Sequence, residues 1–142
     1  MREAVSNDIE GVANLGYEAM MRDPYDLDVS YPKLVEVATE CIEDEDNFCW
    51  VVEESGVITG AVSGVLDEML FYEGLQLSIV QYYCTTKGEG VNLIRKCIKW
   101  AKTKDNIKMI CFTVEYKADP RISSLLERLG LTQELPIHIG IM

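Results

Sequence analysis

Two glycines, Gly88 and Gly90, lie where a strand-like run changes into a strongly helical one, within the segment YYCTTKGEGVNLIRKCIKWAK. A glycine inside a helix costs roughly 1 kcal/mol relative to alanine, so a pair at this junction needs a physical reason. A strand that turns directly into a helix leaves the first helical amides unpaired, with the positive end of the helix dipole facing outward. The junction therefore predicts a site where main-chain N–H groups bind a phosphate or a pyrophosphate.

Two longer glycine motifs are not completed at this junction. The sequence fits neither G-x-G-x-x-G, which marks a dinucleotide-binding turn, nor G-x-x-x-x-G-K-[ST], which marks a P-loop. These two classes are disfavoured, whereas another phosphate-binding α/β domain stays open as an alternative.

The hydrophobic pattern around the junction predicts an α/β chain with the element order α-α-β-β-β-α-β-α-β-β. The predicted helices are 8–21, 33–42, the helix after the turn and 118–130, and the predicted strands are 48–54, 57–66, 75–86, 107–116, 131–135 and 137–142. Asp119, Pro120 and Gly130 are the cap, first turn and end expected of the last helix. One mixed sheet with helices on its faces, forming a single domain over residues 1–142, is the simplest architecture.

Composition narrows the class of protein further. No apolar run is long enough to span a membrane, and the N-terminus lacks a signal sequence, so we expect a soluble cytoplasmic protein. The five cysteines show neither C-x-x-C nor metal-ligand spacing, which predicts reduced thiols and no metal.

The charge is unevenly distributed along the chain. Residues 1–54 hold 15 of the 24 acidic side chains but only 3 of the 13 basic ones. An acidic first third argues against nucleic acid as a ligand and suits a cationic partner, although a solvated acidic surface explains most of these residues taken singly.

The run from Val80 to Ala101 and the later DPRISSLLERLGL resemble the GNAT superfamily of acetyl-CoA-dependent N-acetyltransferases. The strand and turn resemble the family pattern L-x-V-x-P-x-x-R-G-x-G, with Cys84 at the proline, Lys87 at the arginine, and Gly88 and Gly90 at the glycines. Asp119 and the following proline stand for the Asn-Pro of the family's later helix. The resemblance covers essentially the whole chain, is greatest for divergent members of the kind found in tailed phages, and implies the GNAT or acyl-CoA N-acyltransferase fold, with a mostly antiparallel mixed sheet.

The resemblance also implies roles for individual residues. Backbone amides from Lys87 to Val91, including that of Glu89, would bind the pyrophosphate of acetyl-CoA, near Asp119. Main-chain groups of Tyr82, Tyr83 and Cys84 would pair with the pantetheine arm, and the amide near Tyr82 would stabilise the oxyanion. The implied reaction is direct transfer of the acetyl group to a primary amine.

Three positions depart from the family pattern. Leu126 replaces the tyrosine that usually protonates the leaving thiolate, Thr85 replaces a basic residue or glutamine, and Asp119 replaces an asparagine. Tyr116 and Tyr83 are candidates for a substitute acid. Loss of a general acid costs about 10²- to 10⁴-fold in rate, so a GNAT-fold protein that binds CoA in a structural or regulatory role is the alternative function.

Single residues provide the predictions of how the acceptor amine binds and loses its proton. Glu68 and Glu115 are the candidates for the general base, and His138 is more readily explained as a packed or exposed strand residue. The loop RDPYDLDVSYP, with Asp23, Asp26 and Asp28, would attract a cationic amine, such as a polyamine, an aminosugar or a lysine side chain. A covalent route through Cys84 lacks a histidine partner. A homodimer is left open.

Overall fold

The computed structural model describes residues 1–22, 25, 27–113, 119–132 and 140. Its elements are the strands β1 (Arg2–Glu3), β2 (Phe48–Glu54), β3 (Val57–Glu68), β4 (Leu75–Cys84) and β5 (Ile107–Phe112), the helices α1 (Ile9–Met20), α2 (Tyr31–Glu43), α3 (Glu89–Lys102) and α4 (Pro120–Arg128), and a 3₁₀ turn over Ser6–Asp8. The predicted order is confirmed within these residues, with one addition at the N-terminus. The two strands predicted over 131–142 lie outside the described residues, apart from 131, 132 and 140.

The strands form one mixed sheet in the order β1-β2-β3-β4-β5, antiparallel except for the parallel pair β4–β5. Ser55 and Gly56 join β2 to β3, and both have positive φ, of 51° and 80°. A two-residue turn with this geometry matches the twist of a hairpin, which explains why ESG follows a strand-like run. The α-helix that follows β4 provides the crossover that a parallel neighbour requires.

The first strand was not predicted, because two residues carry no periodic signal. Arg2 and Glu3 pair with Val51 and Trp50 of β2. The Arg2 guanidinium bonds Asp8 at 2.6 Å and Glu53 at 2.8 Å, so it links the N-terminus to the 3₁₀ turn and to β2. A side-chain network, rather than a pattern of apolar residues, holds this strand in the sheet.

Helices cover both faces of the sheet. The core on the α1–α2 face is formed by Ala4, Val12, Leu15, Ala38, Cys41, Cys49, Val51 and Ala61. The core on the α3 face is formed by Phe48, Val52, Val62, Leu77, Leu93, Cys97 and Ala101. Alternate residues of β2 and β3 therefore enter opposite cores, which explains why these strands read as nearly continuous apolar runs.

The two helices that flank the later part of the sheet have the predicted ends. α3 buries Leu93, Ile94, Cys97 and Ala101. Asp119 caps the N-terminus of α4, and its carboxylate accepts a hydrogen bond from the Arg121 amide at 2.9 Å. Gly130 follows α4 with a φ of 95°. Among the described residues, no helix has the length and apolar character needed to cross a membrane.

Candidate functional site

Within the described part of the chain, β4 pairs with β5 only over the first half of its length. The parallel pairing of β4 with β5 ends at Ile79 opposite Phe112, whereas its antiparallel pairing with β3 continues to Cys84 opposite Gly60. Residues 80–84 of β4 thus have a strand neighbour on one side only within the described part of the chain. An unpaired strand edge of this kind offers main-chain donors and acceptors to an extended ligand.

The main-chain groups that face this gap can be assigned from the strand pairing. The Thr85 amide donates to the Thr59 carbonyl of β3 at 2.8 Å. Because main-chain groups alternate along a strand, the N–H groups of Tyr83 and Gln81 also point toward β3. Those of Cys84 and Tyr82 point the opposite way, into the gap.

The end of the described pairing with β5 coincides with an irregularity in β4. Ser63 pairs with Gln81 and Gly64 pairs with Ile79, so Val80 is one extra residue on β4. A bulge increases the local twist and redirects the strand. This bulge directly follows Ile79, the last residue of β4 with a described partner on β5.

The turn after β4 presents amides at the start of α3. Gly88 is the N-terminal cap of α3 with φ 85° and ψ −21°, and no side chain caps the helix. Of the five amides from residue 87 to residue 91, the Glu89 amide alone has a hydrogen-bond acceptor within the described chain, the Thr86 carbonyl at 3.3 Å. A Cβ at Gly88 would have no atom within 4 Å, so the turn faces open space. Unpaired amides that face open space at a helix N-terminus are the geometry that an anion site requires.

The second glycine has a different physical cause. A Cβ added to Gly90 would lie 2.6 Å from Oη of Tyr82 and 3.6 Å from its Cζ. The Tyr82 ring also packs edge-on against Phe112 with centroids 5.4 Å apart, and burial raises its pKa to about 12. Gly90 therefore has a packing reason of its own, because the missing side chain makes room for a neighbouring phenol.

Hydrogen bonds from two threonines fix the turn to β3. The hydroxyls of Thr59 and Thr86 lie 2.6 Å apart, and Thr85 Oγ1 donates to the Thr59 carbonyl at 3.1 Å. Thr85, which departs from the family pattern, thus has a structural contact of its own.

Cys84 is a packed thiol in this structure. Its Sγ donates to the Thr86 carbonyl at 3.4 Å. Burial raises the pKa of the Cys84 thiol, with smaller opposing effects from this hydrogen bond. A protonated, hydrogen-bonded thiol is a poor nucleophile, which argues against the covalent route.

The opposite face of the same β4 segment carries a charged cluster that was not predicted. Tyr83 Oη lies 3.4 Å from Oε1 of Glu18. Arg22 pairs with Glu18 at 3.6 Å, and its Cζ lies 5.3 Å from the centroid of the Tyr83 ring. Burial, followed by the nearby Glu18 charge, raises the pKa of Tyr83, so the phenol stays protonated and donates to Glu18. We call these three residues the Glu18 cluster.

Similar solved structures are found for nearly the whole chain, although no family model matches it and no curated protein matches it by sequence. A structure from Clostridium acetobutylicum, described as a predicted acetyltransferase with acetyl-CoA, has a TM-score of 0.77 at 16% identity and covers 99% of this chain and 94% of its own. An aminoglycoside acetyltransferase from an uncultured soil sample, in complex with sisomicin, has a TM-score of 0.68 at 13% identity over 99% and 93%. A transcriptional regulator from Bacillus halodurans has a TM-score of 0.69 at 22% identity over 97% of both chains.

The chain has the fold of the GNAT acetyltransferases. The fold and the resemblance predicted from the sequence are confirmed at this level. Identities between 11% and 22% establish a shared fold and leave activity to be argued from the site.

Most of the predicted cofactor-binding residues lie in one short segment, from the end of β4 to the first turn of α3. They are Tyr82, Tyr83, Cys84, Lys87, Gly88, Glu89, Gly90 and Val91. The Glu89 carboxylate accepts the Asn92 side-chain amide at 3.3 Å, one turn further along α3. The Asp119 carboxylate accepts hydrogen bonds from Nε and Nη2 of the Arg121 side chain. A capping role explains Asp119 fully.

Glu68, one of the two predicted general bases, is not brought to this site. Glu68 ends β3 opposite Leu75, six residues along the strand from Val62, which pairs with Tyr82. At about 3.3 Å per residue it lies roughly 20 Å from Tyr82, which is too far for a general base. Asp28 is exposed before α2.

Several predicted residues lie outside the described residues, namely Asp23, Asp26, Glu115, Tyr116 and His138. Glu115, Tyr116 and Asp26 stay predictions. No group of three or more histidine, cysteine or acidic side chains in the described segments could hold a metal ion.

The Glu18 cluster could not be found by spacing alone. Glu18 and Arg22 are four residues apart on α1, a common pattern of surface ion pairs. The third member, Tyr83, is 65 residues away from Glu18 in sequence. A second contact between residues distant in sequence joins Lys96 of α3 to β2, since its Nζ lies 3.9 Å from the centroid of the Trp50 ring.

Proposed function

We propose that the protein is an N-acetyltransferase that moves the acetyl group of acetyl-CoA to a primary amine by direct attack. One observation carries this proposal: a strand edge that has no neighbour among the described residues leads directly into an open, uncapped helix N-terminus. Pantetheine needs the first feature and pyrophosphate needs the second, and they follow each other along the chain as they do along CoA.

The pyrophosphate would lie at the amides of residues 87–91, beside the exposed side chain of Lys87. The pantetheine arm would pair with the outward main-chain groups of Cys84 and Tyr82. The thioester oxygen would accept a hydrogen bond from the Tyr82 amide, which develops full strength as negative charge forms on that oxygen; a donor of this kind is worth about 3 kcal/mol.

The reaction then needs few protein groups. The lone pair of a neutral amine attacks the thioester carbon, and the Tyr82 amide stabilises the tetrahedral oxyanion. The C–S bond breaks, and the CoA thiolate takes a proton from water. The amine loses its extra proton to a base, for which Glu115 remains a candidate.

The acceptor would approach from the α1–α2 face. On the α3 face, Tyr82 fills the space between Phe112 and Gly90. On the other face lies the Glu18 cluster, where a carboxylate is held by Tyr83 and Arg22. An acceptor ammonium would replace Arg22 on Glu18, which favours a cationic amine without requiring the predicted Asp26 and Asp28.

A CoA-binding protein without turnover is the second candidate. The position of the usual general acid is Leu126, which is 5% exposed and has no hydroxyl to donate. Such a protein would bind CoA with the same residues and serve a structural or regulatory role.

The test measures binding and turnover separately. Thermal shift with acetyl-CoA, CoA and ATP reports binding, and stabilisation by the CoA species alone supports the site. Release of free thiol from acetyl-CoA over a panel of primary amines then reports transfer. Thiol release with an amine supports the enzyme, binding without release supports the second candidate, and no binding refutes both.

Gly88 offers a variant with a matched control. Gly88→Ala places a methyl group in the open space before α3 and strains a backbone with φ 85°. Gly130→Ala imposes similar strain at φ 95°, also in open space, after α4. We expect both to lose about 1–2 kcal/mol of stability, but only Gly88→Ala to weaken CoA binding. Equal CoA affinity in both variants would place the pyrophosphate elsewhere.

A further inference from the structure

The loop between β3 and β4 exposes three consecutive large apolar side chains. Leu70, Phe71 and Tyr72 are 90%, 88% and 72% exposed. The loop is a closed turn, because the Met69 amide donates to the Gly74 carbonyl at 3.2 Å. Three such residues at the end of a hairpin form an apolar tip, which is unusual on a surface unless it contacts something.

Carboxylates surround the apolar tip. Asp67, Glu68 and Glu73 are all exposed and flank it on both sides in sequence. None of the three has an ion-pair partner within the described ranges. A surface that accepts this tip should therefore combine an apolar floor with a basic rim.

The chain itself contains such a surface. Ile98 and Leu129 lie in a groove of about 270 Å³ whose other lining residues are Arg95, Lys99 and Lys102. None of these three cations forms an ion pair with a described residue. We call this the basic groove; its positive charge is notable in a chain of net charge −11.

The tip and the groove lie toward the same end of the molecule. The Leu75 amide, just after the tip, donates to the Asn106 carbonyl at 2.8 Å. Asn106 belongs to the connection that follows α3, and Lys102 of the groove is the last residue of that helix. Two copies related by a twofold axis at this end can each place a tip in the groove of the other.

We propose that the protein forms a twofold dimer in which the apolar tip of each copy occupies the basic groove of its partner. Each contact buries aromatic side chains against Ile98 and Leu129 and pairs three carboxylates with three cations. Twofold closure explains why one chain carries both complementary surfaces, and it uses each of them once. This dimer is independent of the proposed transfer reaction, since the tip lies at the far end of β4 from the turn before α3.

Sedimentation velocity over a range of protein concentration and salt tests the dimer. The unmodified chain should dimerise, and added salt should weaken the dimer. Phe71→Ser should weaken dimerisation about tenfold or more because it removes an anchoring aromatic. Val57→Ser, at a residue 62% exposed at the start of β3, is the matched control and should leave the dimer unchanged.

Charge exchange gives the decisive experiment. Glu68→Lys with Glu73→Lys makes a basic tip, and Lys99→Glu with Lys102→Glu makes an acidic groove. Each double variant alone should be monomeric, whereas an equimolar mixture should form a heterodimer in which both contacts are restored. Circular dichroism checks that each variant folds. All four substituted residues are exposed, so folding should be retained.

Three results would overturn the proposal. The first is an unmodified chain that stays monomeric at high concentration and low salt. The second is a mixture of the two charge variants that does not associate. The third is assembly beyond the dimer, which would exclude the twofold arrangement.

Discussion

The contact between Gly90 and Tyr82 predicts a specific energetic coupling. In Gly90→Ala the new methyl carbon would lie 2.6 Å from the phenol oxygen, so the ring or the first turn of α3 must move. Overpacking of this kind costs about 1–3 kcal/mol, whereas alanine gains about 1 kcal/mol over glycine in a helix. We expect a net loss of about 0–2 kcal/mol.

Removal of the phenol oxygen should reverse this result. In Tyr82→Phe the nearest remaining atoms to an added Cβ are the ring carbon at 3.6 Å and Cys84 Cβ at 3.7 Å, which are ordinary contacts. Tyr82→Phe alone should change stability little, since Tyr82 Oη has no hydrogen-bond partner among the described residues. The double variant should then keep the helix gain and exceed Tyr82→Phe by about 1 kcal/mol.

Chemical denaturation of the four proteins gives the coupling free energy directly. The predicted value is about 1–3 kcal/mol, opposite in sign to the loss caused by Gly90→Ala alone. Additive effects would refute the assignment of Gly90 to packing. If the double variant is stable but has lost CoA affinity, Gly90 serves the ligand as well.

Three further predictions test other parts of the structure. Hydrogen bonds from Arg2 lower the pKa of Asp8 in the folded protein. The ionised carboxylate therefore stabilises the fold at pH values above its ordinary pKa of 3.8, and this stabilisation is lost as pH falls through the lower pKa of the folded state. Asp8→Asn should lower the free energy of unfolding by about 1–3 kcal/mol at neutral pH and flatten this acid dependence in denaturation curves. Glu18→Gln should raise KM for a cationic amine roughly tenfold with little change in kcat, whereas Glu10→Gln on the same helix should change neither, and an equal effect on neutral amines would exclude a charge-based role. Cys84→Ala should keep thiol release from acetyl-CoA within a few-fold, because the half-buried, protonated thiol takes no part in the reaction, and loss of release in a folded variant would reinstate the covalent route.

Much of the fold could be predicted because the chain repeats its signals at several levels. α3 combines a clear apolar face with a preceding turn, and α4 has Asp119, Pro120 and Gly130 at the expected places. By contrast, β1 is two residues long and depends on the contacts of Arg2 with distant carboxylates. Local patterns carry no trace of such contacts.

The site shows the same division between local and distant information. The turn from Lys87 to Val91 is a local feature, and its position could be predicted. The extent of the described β4–β5 pairing, the bulge at Val80 and the Glu18 cluster all depend on which strands and helices become neighbours. The prediction of Glu68 as a general base failed for this reason, because the length of β3 sets its distance from the turn before α3.

Tyr82 connects the two halves of the proposed site. Its ring contacts Phe112 at the end of β5, and its oxygen contacts Gly90 in the first turn of α3. The phenol therefore acts as a spacer between the end of β5 and the first turn of α3. A smaller residue, as in Tyr82→Ala, would let the gap narrow and the helix N-terminus shift together. The β4 edge proposed to bind pantetheine and the turn proposed to bind pyrophosphate share this spacer. Tyr82→Ala should therefore weaken binding of pantetheine and of CoA alike, whereas Gly88→Ala should weaken only the binding of CoA.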